Sequence, residues 1–356
     1  MTAMQPVTLA QPSAPAPSAV TEMPLQMVMM QMVTGYWVAQ SIYAAAKLGI
    51  ADYLREGAQP CTELAMLTGS DERSLYRLLR ALASVGIFAE TEPGWFGLTP
   101  MAMLLQSDVP GSIRDIAIML GDAEHYGSWG DILHSIQTGG SAFEHLFGTN
   151  IFQYYAQNPQ PAAVFDKAMT GFSEVEGAAV AEAYDFSAIR CLADIAGGQG
   201  HLLTTILKAN PHMIGILFDQ PAVIEGAESF LAASGVDDRC ETVAGSFFEP
   251  VPSGADAYIL KHIVHDWDDQ RAIAILRQCH QAMPDHGKLL IVEQIVPDGN
   301  EPSMSKFLDL NMLVMCPGGK ERTVGEYESL FAAAGFKLNR IVPTTQIVSV
   351  IEGVKL

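Results

Sequence analysis

The chain has 356 residues, of which 49% are hydrophobic and 17% are charged. A chain this long and this apolar can bury a large core, so disorder over most of it is excluded. Its length predicts two domains. Its 20 Lys and Arg residues against 40 Asp and Glu residues give a formal net charge of −20, which argues against binding nucleic acid or an anionic membrane surface.

The N-terminal segment is expected to be a flexible tail followed by helices. Residues 1–22 are rich in Pro, Ala, Ser and Gln, and the first twenty lack the Lys and Arg residues that begin a signal peptide. The sequence contains no uninterrupted run of roughly 18 apolar residues, so no membrane span is predicted. The methionine-rich residues 23–32 predict a helix that leads into helical residues 35–54. Because Met side chains adapt to irregular contacts, this surface is expected to pack, with a partner protomer as one candidate.

Residues 61–100 predict two helices followed by a β-hairpin, which is the winged-helix arrangement. Thr62 is expected to cap the first helix, and Ser70 or Asp71 the second. The hairpin strands are predicted on either side of a Pro-Gly turn, at 87–90 and 95–98.

The second helix of this unit carries Arg73, Arg77 and Arg80 on one face, as a DNA-reading helix would. Neighbouring Asp and Glu residues and the net charge of −20 oppose DNA binding. The face is therefore expected to be solvated or salt-bridged, and the preferred function of the unit is packing in a dimer.

Residues 111–183 predict a mainly helical region that is rich in aromatic side chains. Phe165 and Met169 are four residues apart and therefore lie on one side of a helix. Most of these aromatic residues are expected in the core, and some are expected to line a pocket for a flat apolar ligand.

From residue 189 onward, strands and helices alternate. Such alternation predicts a parallel sheet covered by helices on both faces, with ligands bound beyond the carboxyl ends of the strands. An antiparallel edge pair is expected to complete the sheet at the C-terminus. The predicted strands, in chain order, are 191–196, 215–219, 240–244, 257–263, 288–296, 337–342 and 347–353.

A glycine-rich loop, Asp194–Gly200, follows the first of these strands, and Asp219 ends the next strand 19 residues after Gly200. This spacing is typical of a carboxylate that accepts both hydroxyls of an adenosine ribose. The pattern serves either a dinucleotide or S-adenosylmethionine (SAM), and a bare turn is the structural alternative. Leu203 stands where the dinucleotide fingerprint needs Gly or Ala, which favours SAM.

Two later strand ends carry further candidates. Ser246 is expected to hold an adenine by hydrogen bond and Phe247 by contact, although a turn with core aromatics is the simpler alternative. His265 is placed to act as a general base, since His takes up a proton near neutral pH. Asp266 or Asp268 is expected to cap the following helix, and the absence of a ligand spacing disfavours a metal ion here.

The chain has five Cys residues, at 61, 191, 240, 279 and 316, and none of them forms a Cys-x-x-Cys pair. Five free thiols are therefore expected, rather than disulfides or a zinc site. This pattern indicates a reducing, cytoplasmic location.

The chain resembles the SAM-dependent O-methyltransferases of the caffeic acid O-methyltransferase type, which include bacterial enzymes acting on phenols and polyketides. The resemblance extends from Val28 to the C-terminus and depends on motifs that occur in order: Asp194–Gly200, Phe218–Pro221, Gly245–Phe248, Lys261 with His265–Asp269, Gly287–Glu293 and Pro317–Thr323.

This resemblance implies an α/β fold, with a Rossmann-like SAM-methyltransferase domain built on a mostly parallel, seven-stranded sheet. A helical, winged-helix dimerisation domain precedes it, and a homodimer is expected. The implied divisions are a tail at 1–22, the dimerisation domain at 23–110, a helical pocket region at 111–185 and the SAM domain at 186–356.

The resemblance also implies the site residues. His265 corresponds to the base that deprotonates a substrate hydroxyl, and Glu293 and Glu321 to the two carboxylates that flank it. No metal is needed, and S-adenosylhomocysteine (SAH) is the product. The cofactor residues are Asp194, Ala196, Gly197, Gly198, Gly200, Asp219, Gln220, Ser246, Phe247, Lys261 and Trp267, and the substrate residues are Phe165, Met169, Asp266, Met312 and Cys316.

Three positions depart from the family pattern. Ala196 replaces the first loop glycine, and Ser246 replaces an Asp that contacts adenosine. Cys316 replaces an Asn that contacts substrate hydroxyls in the plant enzymes, so hydroxycinnamate recognition is not carried over. Met169 and Met312 correspond to methionines that sandwich a flat ring.

The expected reaction is methyl transfer from SAM to a phenolic or enolic hydroxyl of an aromatic or polyketide-like small molecule. A nicotinamide-dependent oxidoreductase is one alternative, which Leu203 opposes, and a non-catalytic winged-helix regulator is another, which the acidic charge opposes. A SAM-binding relative with non-methyl chemistry is a third, and intact His265, Glu293 and Glu321 oppose it.

Overall fold

The computed structural model describes residues 23–356, apart from the side chains of Phe172 and Glu174, so the expected tail at 1–22 lies outside the described residues. The described part begins with three helices, and the predicted helical stretch 35–54 is interrupted at Gly49. Gly49 has φ 69°, a left-handed conformation that ends one helix before the next begins. These helices are α1 (Leu25–Val33), α2 (Gly35–Lys47) and α3 (Ile50–Tyr53).

The winged-helix prediction for residues 61–100 is confirmed. Asp71 caps the second helix, where its carboxylate accepts a hydrogen bond from the Ser74 N–H at 2.9 Å. The expected Thr62 cap is wrong: the Cys61 N–H donates to the Gly94 carbonyl, and the helix starts two residues earlier than a Thr62 cap implies, at Cys61 itself. The elements are β1 (Gln59–Pro60), α4 (Cys61–Thr68), α5 (Glu72–Ser84), β2 (Phe88–Glu92) and β3 (Trp95–Leu98), in the antiparallel sheet order β1-β3-β2.

The region after the hairpin is helical, as predicted. Its last helix, α12, has 25 residues and packs against α7 on the N-terminal side and against the first helix of the following sheet domain, α13 (His201–Ala209). The elements are α6 (Pro100–Met103), α7 (Arg114–Gly121), α8 (Ala123–Gly130), α9 (Ile132–Thr138), α10 (Ala142–Phe147), α11 (Ile151–Gln157) and α12 (Pro159–Ala183).

The C-terminal part is a seven-stranded sheet in the order β6-β5-β4-β7-β8-β10-β9, whose first five members are parallel and whose last two are antiparallel. This confirms the predicted sheet. The strands are β4 (Cys191–Ile195), β5 (Ile214–Asp219), β6 (Cys240–Ala244), β7 (Ala257–Lys261), β8 (Lys288–Glu293), β9 (Phe336–Pro343) and β10 (Ser349–Lys355).

Three strands, β4, β7 and β8, end earlier than predicted, and the shortening of β7 has a clear local cause. His262 has φ 54°, which no strand residue adopts, so β7 ends at Lys261 rather than at residue 263. Besides α13, the helices of this part are α14 (Pro221–Ser234), α15 (Asp269–Ala282), α16 (Met304–Met315) and α17 (Val324–Ala334), with 3₁₀ turns at Asp237–Arg239 and Val264–Asp266.

The sheet is buried on both faces. Tyr258 and Leu260 of β7 pack in one core with α15 and α17, whereas Ile259 packs in the other core with α13. Successive side chains of a strand point to opposite faces, so this split shows that both faces are covered. No helix among the described residues combines the length and the hydropathy that a bilayer crossing requires.

Candidate active site

The carboxyl ends of β4 and β7 meet at the point where the strand order reverses. The chain runs outward from β4 through β5 to β6 and returns to place β7 beside β4 on the other side. The loops after these two strands therefore diverge and leave a crevice, which is the usual ligand position in such sheets.

The glycine-rich loop after β4 is a tight turn whose backbone conformation its sequence explains only in part. Gly198 has φ 61°, and Ala196, where the family pattern has glycine, has φ 58°. A left-handed alanine costs roughly 1–2 kcal/mol, so the surrounding structure holds Ala196 in place. Its N–H donates to the Phe218 carbonyl at 2.7 Å, which ties the turn to β5.

Gly197 has no room for a side chain. A Cβ atom there would lie 2.5 Å from Leu217 Cδ1 and 2.6 Å from the carboxylate of Asp194. The glycine therefore lets the loop pass directly over the Asp194 carboxylate.

Asp194 is a buried carboxylate with one oxygen, Oδ2, that has no hydrogen-bond partner among the described residues. Burial raises the pKa of Asp194 to about 7, and nearby Lys261 opposes this rise. A cationic ligand would favour the ionised form and supply the missing partner. The loop therefore fits the positively charged SAM that the sequence implies.

Asp219 ends β5 and faces the same loop. Its Oδ2 accepts from the Gly198 N–H at 2.8 Å, and its Oδ1 accepts from the Gln220 N–H at 2.6 Å. These bonds fix the carboxylate and leave a free lone pair on each oxygen, the arrangement that a ribose diol needs. Burial raises the pKa of Asp219, and the two backbone bonds oppose this effect.

His265 forms a buried pair with Glu321 in the 3₁₀ turn after β7. Its Nδ1 lies 2.6 Å from Glu321 Oε1, and its Nε2 lies 3.6 Å from Asp266 Oδ1. Burial by itself lowers the pKa of His265, but Asp266, Glu321 and Glu293 outweigh it and raise the pKa to about 10. The imidazole is therefore an unusually strong base in the ligand-free protein.

Glu293 was expected to flank the imidazole, but its hydrogen bonds lie elsewhere. Its Oε1 accepts from the backbone N–H groups of Ile263, Val264 and His265, at 3.2, 2.7 and 3.1 Å, and its Oε2 accepts from the Tyr327 hydroxyl. Glu293 thus anchors the backbone of the His265 turn, because a turn at the end of a buried strand leaves N–H groups that need an acceptor.

Asp266 lies on the Nε2 side of His265, and Cys316 contacts Asp266. The Cys316 thiol donates to Asp266 Oδ1 at 3.6 Å. Burial raises the pKa of Asp266 to about 6, although His265 opposes the rise, and burial also raises the pKa of Cys316. The expected cap of the next helix is Asp268, whose Oδ1 accepts from the Arg271 N–H at 2.9 Å.

Buried Glu176 and half-buried His262, which the sequence analysis missed, join this site. Glu176 of α12 lies with Oε2 at 2.9 Å from His262 Nε2 and at 3.4 Å from Lys261 Nζ. The His262 ring stacks on the His265 ring, with 5.1 Å between centroids. The available signal was an acidic residue in the apolar second half of a long helix, since a buried carboxylate there needs a partner.

The remaining candidates are aromatic residues, methionines and Ser246. Trp267 meets the Phe247 ring edge-on at 6.0 Å and stacks on Phe152 at 5.9 Å. The Ser246 hydroxyl accepts from the Phe248 N–H at 3.3 Å, in a local turn. Phe165 packs on Tyr155 at 4.8 Å and shares α12 with half-buried Met169, and Met312 is buried on α16.

Two family profiles match the chain. The O-methyltransferase domain profile matches residues 129–337, and the O-methyltransferase dimerisation domain profile matches residues 30–108. Together they cover the parallel strands β4–β8, whose ends form the crevice, and the winged-helix unit.

Curated relatives include methyltransferases of both oxygen and nitrogen. The chain is 52% identical to the phenazine O-methyltransferase PhzM of Lysobacter antibioticus over 92% of this chain and 96% of the relative. It is 30% identical to the phenazine-1-carboxylate N-methyltransferase of Pseudomonas aeruginosa over 88% of this chain and 92% of the relative.

Solved structures show the same architecture. The crystal structure of LaPhzM has a TM-score of 0.90 and 51% identity, and the match covers 94% of this chain and all of that one. The O-methyltransferase NcsB1 from neocarzinostatin biosynthesis, solved with SAM and 2-hydroxy-5-methyl naphthoic acid, has a TM-score of 0.78 and 33% identity, over 89% of this chain and 96% of that one.

Proposed function

The chain belongs to the O-methyltransferase family and is a SAM-dependent methyltransferase, and we propose that it methylates a hydroxyl of a flat, phenazine- or polyketide-type aromatic molecule, with His265 as general base. The observation that carries the proposal is the buried His265–Glu321 pair, 2.6 Å apart, at the same sheet edge as the Asp219 carboxylate. The nicotinamide and regulator alternatives are set aside, because family membership assigns methyl transfer.

The proposed reaction needs one proton removed and one oxyanion positioned. When bound, SAM supplies a methyl group on a cationic sulfur, and an oxyanion attacks this methyl group in line while the sulfur leaves as SAH. Asp219 would hold the ribose hydroxyls, and Asp194 would balance the cationic end of the cofactor. These residues fix the methyl donor at the sheet edge that His265 faces, so most of the rate gain comes from positioning.

His265 Nε2 takes the proton of the acceptor hydroxyl. Glu321 accepts a hydrogen bond from Nδ1–H, which keeps the lone pair on Nε2 and stabilises the imidazolium that forms. A pKa of about 10 keeps the His265 imidazole protonated at neutral pH, whereas a general base must be neutral to take a proton. A cationic ligand beside it would lower the pKa of His265 and favour the neutral imidazole that the reaction needs.

The apolar wall suits a flat acceptor. Met312 and Cys316 are buried in one cluster with Phe143 and Ile151. With Phe165 and Met169 on α12, they would enclose an aromatic ring by apolar contact, while Asp266 offers a carboxylate to a polar group of the acceptor.

The test is the H265A variant, with H286A as the matched control because His286 is an exposed His at 75% side-chain exposure, outside the site. H265A should bind SAH with wild-type affinity in calorimetry and lose at least about 100-fold in kcat with a dihydroxyphenazine or naphthol acceptor. Unchanged turnover in H265A would show that His265 is not the base. A wild-type protein that does not bind SAH would refute the cofactor assignment.

Nitrogen methylation is the second candidate, because the chain is 30% identical to an N-methylating relative over 88% of its length. An aromatic nitrogen carries its own lone pair and needs no base. NMR of the product distinguishes an O-methyl from an N-methyl group, and an H265A enzyme that still N-methylates at wild-type rate would favour this candidate.

We also propose a homodimer that buries the exposed apolar side chains of α1 and α2. Met30 and Met32 of α1 and Trp37 of α2 are 61%, 71% and 60% exposed in the single chain. Light scattering after size-exclusion chromatography should give twice the chain mass for the wild type and for L133E, and the single-chain mass for W37E. A monomeric wild type contradicts the proposal.

A further inference from the structure

Two imidazoles and a carboxylate converge outside the catalytic crevice. Asp131 precedes α9, His134 lies within α9 and His145 lies in α10. One ligand atom from each of the three lies within 4.8 Å of the others. The His145 Nδ1 is 2.7 Å from Asp131 Oδ2, and the two His rings stack with centroids 3.9 Å apart.

We propose that Asp131, His134 and His145 form a binding site for a divalent transition-metal ion, with Zn²⁺ as the representative case. Imidazole nitrogen and carboxylate oxygen are ligands that Zn²⁺ prefers, and three of them leave a fourth position for water. The site serves structure rather than the methyl transfer, which needs no metal in the proposed reaction.

The geometry requires a small, available movement. Zn²⁺ binds such atoms at about 2.0–2.2 Å, so tetrahedral ligand atoms lie roughly 3.4 Å apart. The ligand atoms lie within 4.8 Å of one another, so no pair has to draw together by more than about 1.4 Å. His145, whose side chain is 52% exposed, and Asp131, at 30%, have the free space for this rotation and for entry of the ion.

The ion would join α9 to α10 across the Gly139–Ser141 connection. The second helix of this pair, α10, is fixed to α16, which carries Met312 of the proposed acceptor site: the Ser141 hydroxyl donates to the Val314 carbonyl of α16 at 2.9 Å. Phe143 of α10 is fully buried in the cluster that contains Met312 and Cys316. Metal binding would therefore stiffen α10, which packs against Met312 and Cys316. Any effect of this stiffening on acceptor binding rests on the proposed function.

The binding test uses tag-free, full-length protein stripped of metal with a chelator and dialysed. Calorimetric titration with Zn²⁺ should give one site per chain in the wild type. The H145A variant should bind at least about 100-fold more weakly, because loss of even a supporting residue around a metal costs 10–100-fold. The matched control is H286A, which removes a His placed 3.6 Å from the single carboxylate of Asp256, and it should bind like the wild type.

Equal Zn²⁺ affinity in the wild type and H145A would overturn the proposal, as would absence of binding in the wild type. Amide hydrogen exchange supplies a second readout: Zn²⁺ should slow exchange over residues 139–147 in the wild type and leave it unchanged in H145A. Exchange that Zn²⁺ does not slow in the wild type would overturn the stiffening. Neither measurement uses methyl transfer, so failure of the metal site is distinguishable from failure of the proposed reaction.

Discussion

Replacing Asp266 with Asn should lower the pKa of His265 and move the pH dependence of catalysis to lower pH. Asp266 is the strongest of the charges that raise the pKa of His265, and its Oδ1 lies 3.6 Å from the Nε2 that would take the proton. The D266N variant keeps the size of the side chain and removes its charge.

The size of the change follows from the separation of the charges. Unit charges 3.6 Å apart interact by about 4.6 kcal/mol at an effective dielectric constant of 20 and by about 1.2 kcal/mol at 80. Division by 1.36 kcal/mol gives a pKa change of about one to three. The pKa of His265 should therefore fall from about 10 to roughly 7–9 in the ligand-free variant.

NMR titration of His265 in the ligand-free protein measures this pKa directly, and the pH profile of kcat/KM reports it in turnover. The rising limb of the profile should move to lower pH, because a weaker base is neutral at a lower pH. The control is D285N, which removes an exposed carboxylate whose side chain is fully exposed in the chain.

The reasoning is refuted if the His265 titration midpoint in D266N stays at the wild-type value or rises. A uniform loss of activity with an unmoved midpoint would show that Asp266 acts on acceptor binding and leaves the proton affinity of His265 unchanged.

Three further changes test other parts of the structure. Y327F leaves the buried Glu293 Oε2 without its hydroxyl donor, so urea denaturation should show a loss of about 1–3 kcal/mol in unfolding free energy, and a loss near zero would contradict the anchoring role. G197A places a Cβ 2.5 Å from a neighbouring side chain and should abolish SAH binding in calorimetry, whereas G127A, with open space around its Cβ, should bind SAH normally. His125 is buried with its pKa lowered by burial to about 4, so the unfolded chain binds a proton first as pH falls from 6.5. Unfolding free energy should therefore decline between pH 6.5 and 4, and an H125L variant that declines just as steeply would refute this assignment.

The sheet was predictable because most of its strands have a recognisable local sequence pattern. Apolar runs such as Ala257–Leu260, bounded by the charged residues Asp256 and Lys261, give both the strand and its burial on two faces. The motif order also located His265 at a strand end. The predicted Thr62 cap failed, because the start of α4 depends on the Cys61–Gly94 hydrogen bond, which joins residues that are far apart in the chain.

The contacts within the site were less predictable than its members. The role of Glu293 depends on three backbone N–H groups that become available because β7 ends at Lys261, before the left-handed His262. Glu176 reaches Lys261 and His262 from 85 residues earlier in the chain, so no local pattern links them. Spacing rules describe neighbours along one element and do not describe such crossings.

Helix α12 has a consequence for how this enzyme can diverge. One continuous 25-residue helix carries Phe165 and Met169 near its start and Glu176 further along, and it packs on both α7 and α13. If Phe165 and Met169 contact the acceptor as proposed, substitutions that shift the first half of α12 to admit a larger acceptor would also move the carboxylate that contacts Lys261 and His262. Directed evolution for a new acceptor should then recover compensating mutations in the second half of the same helix.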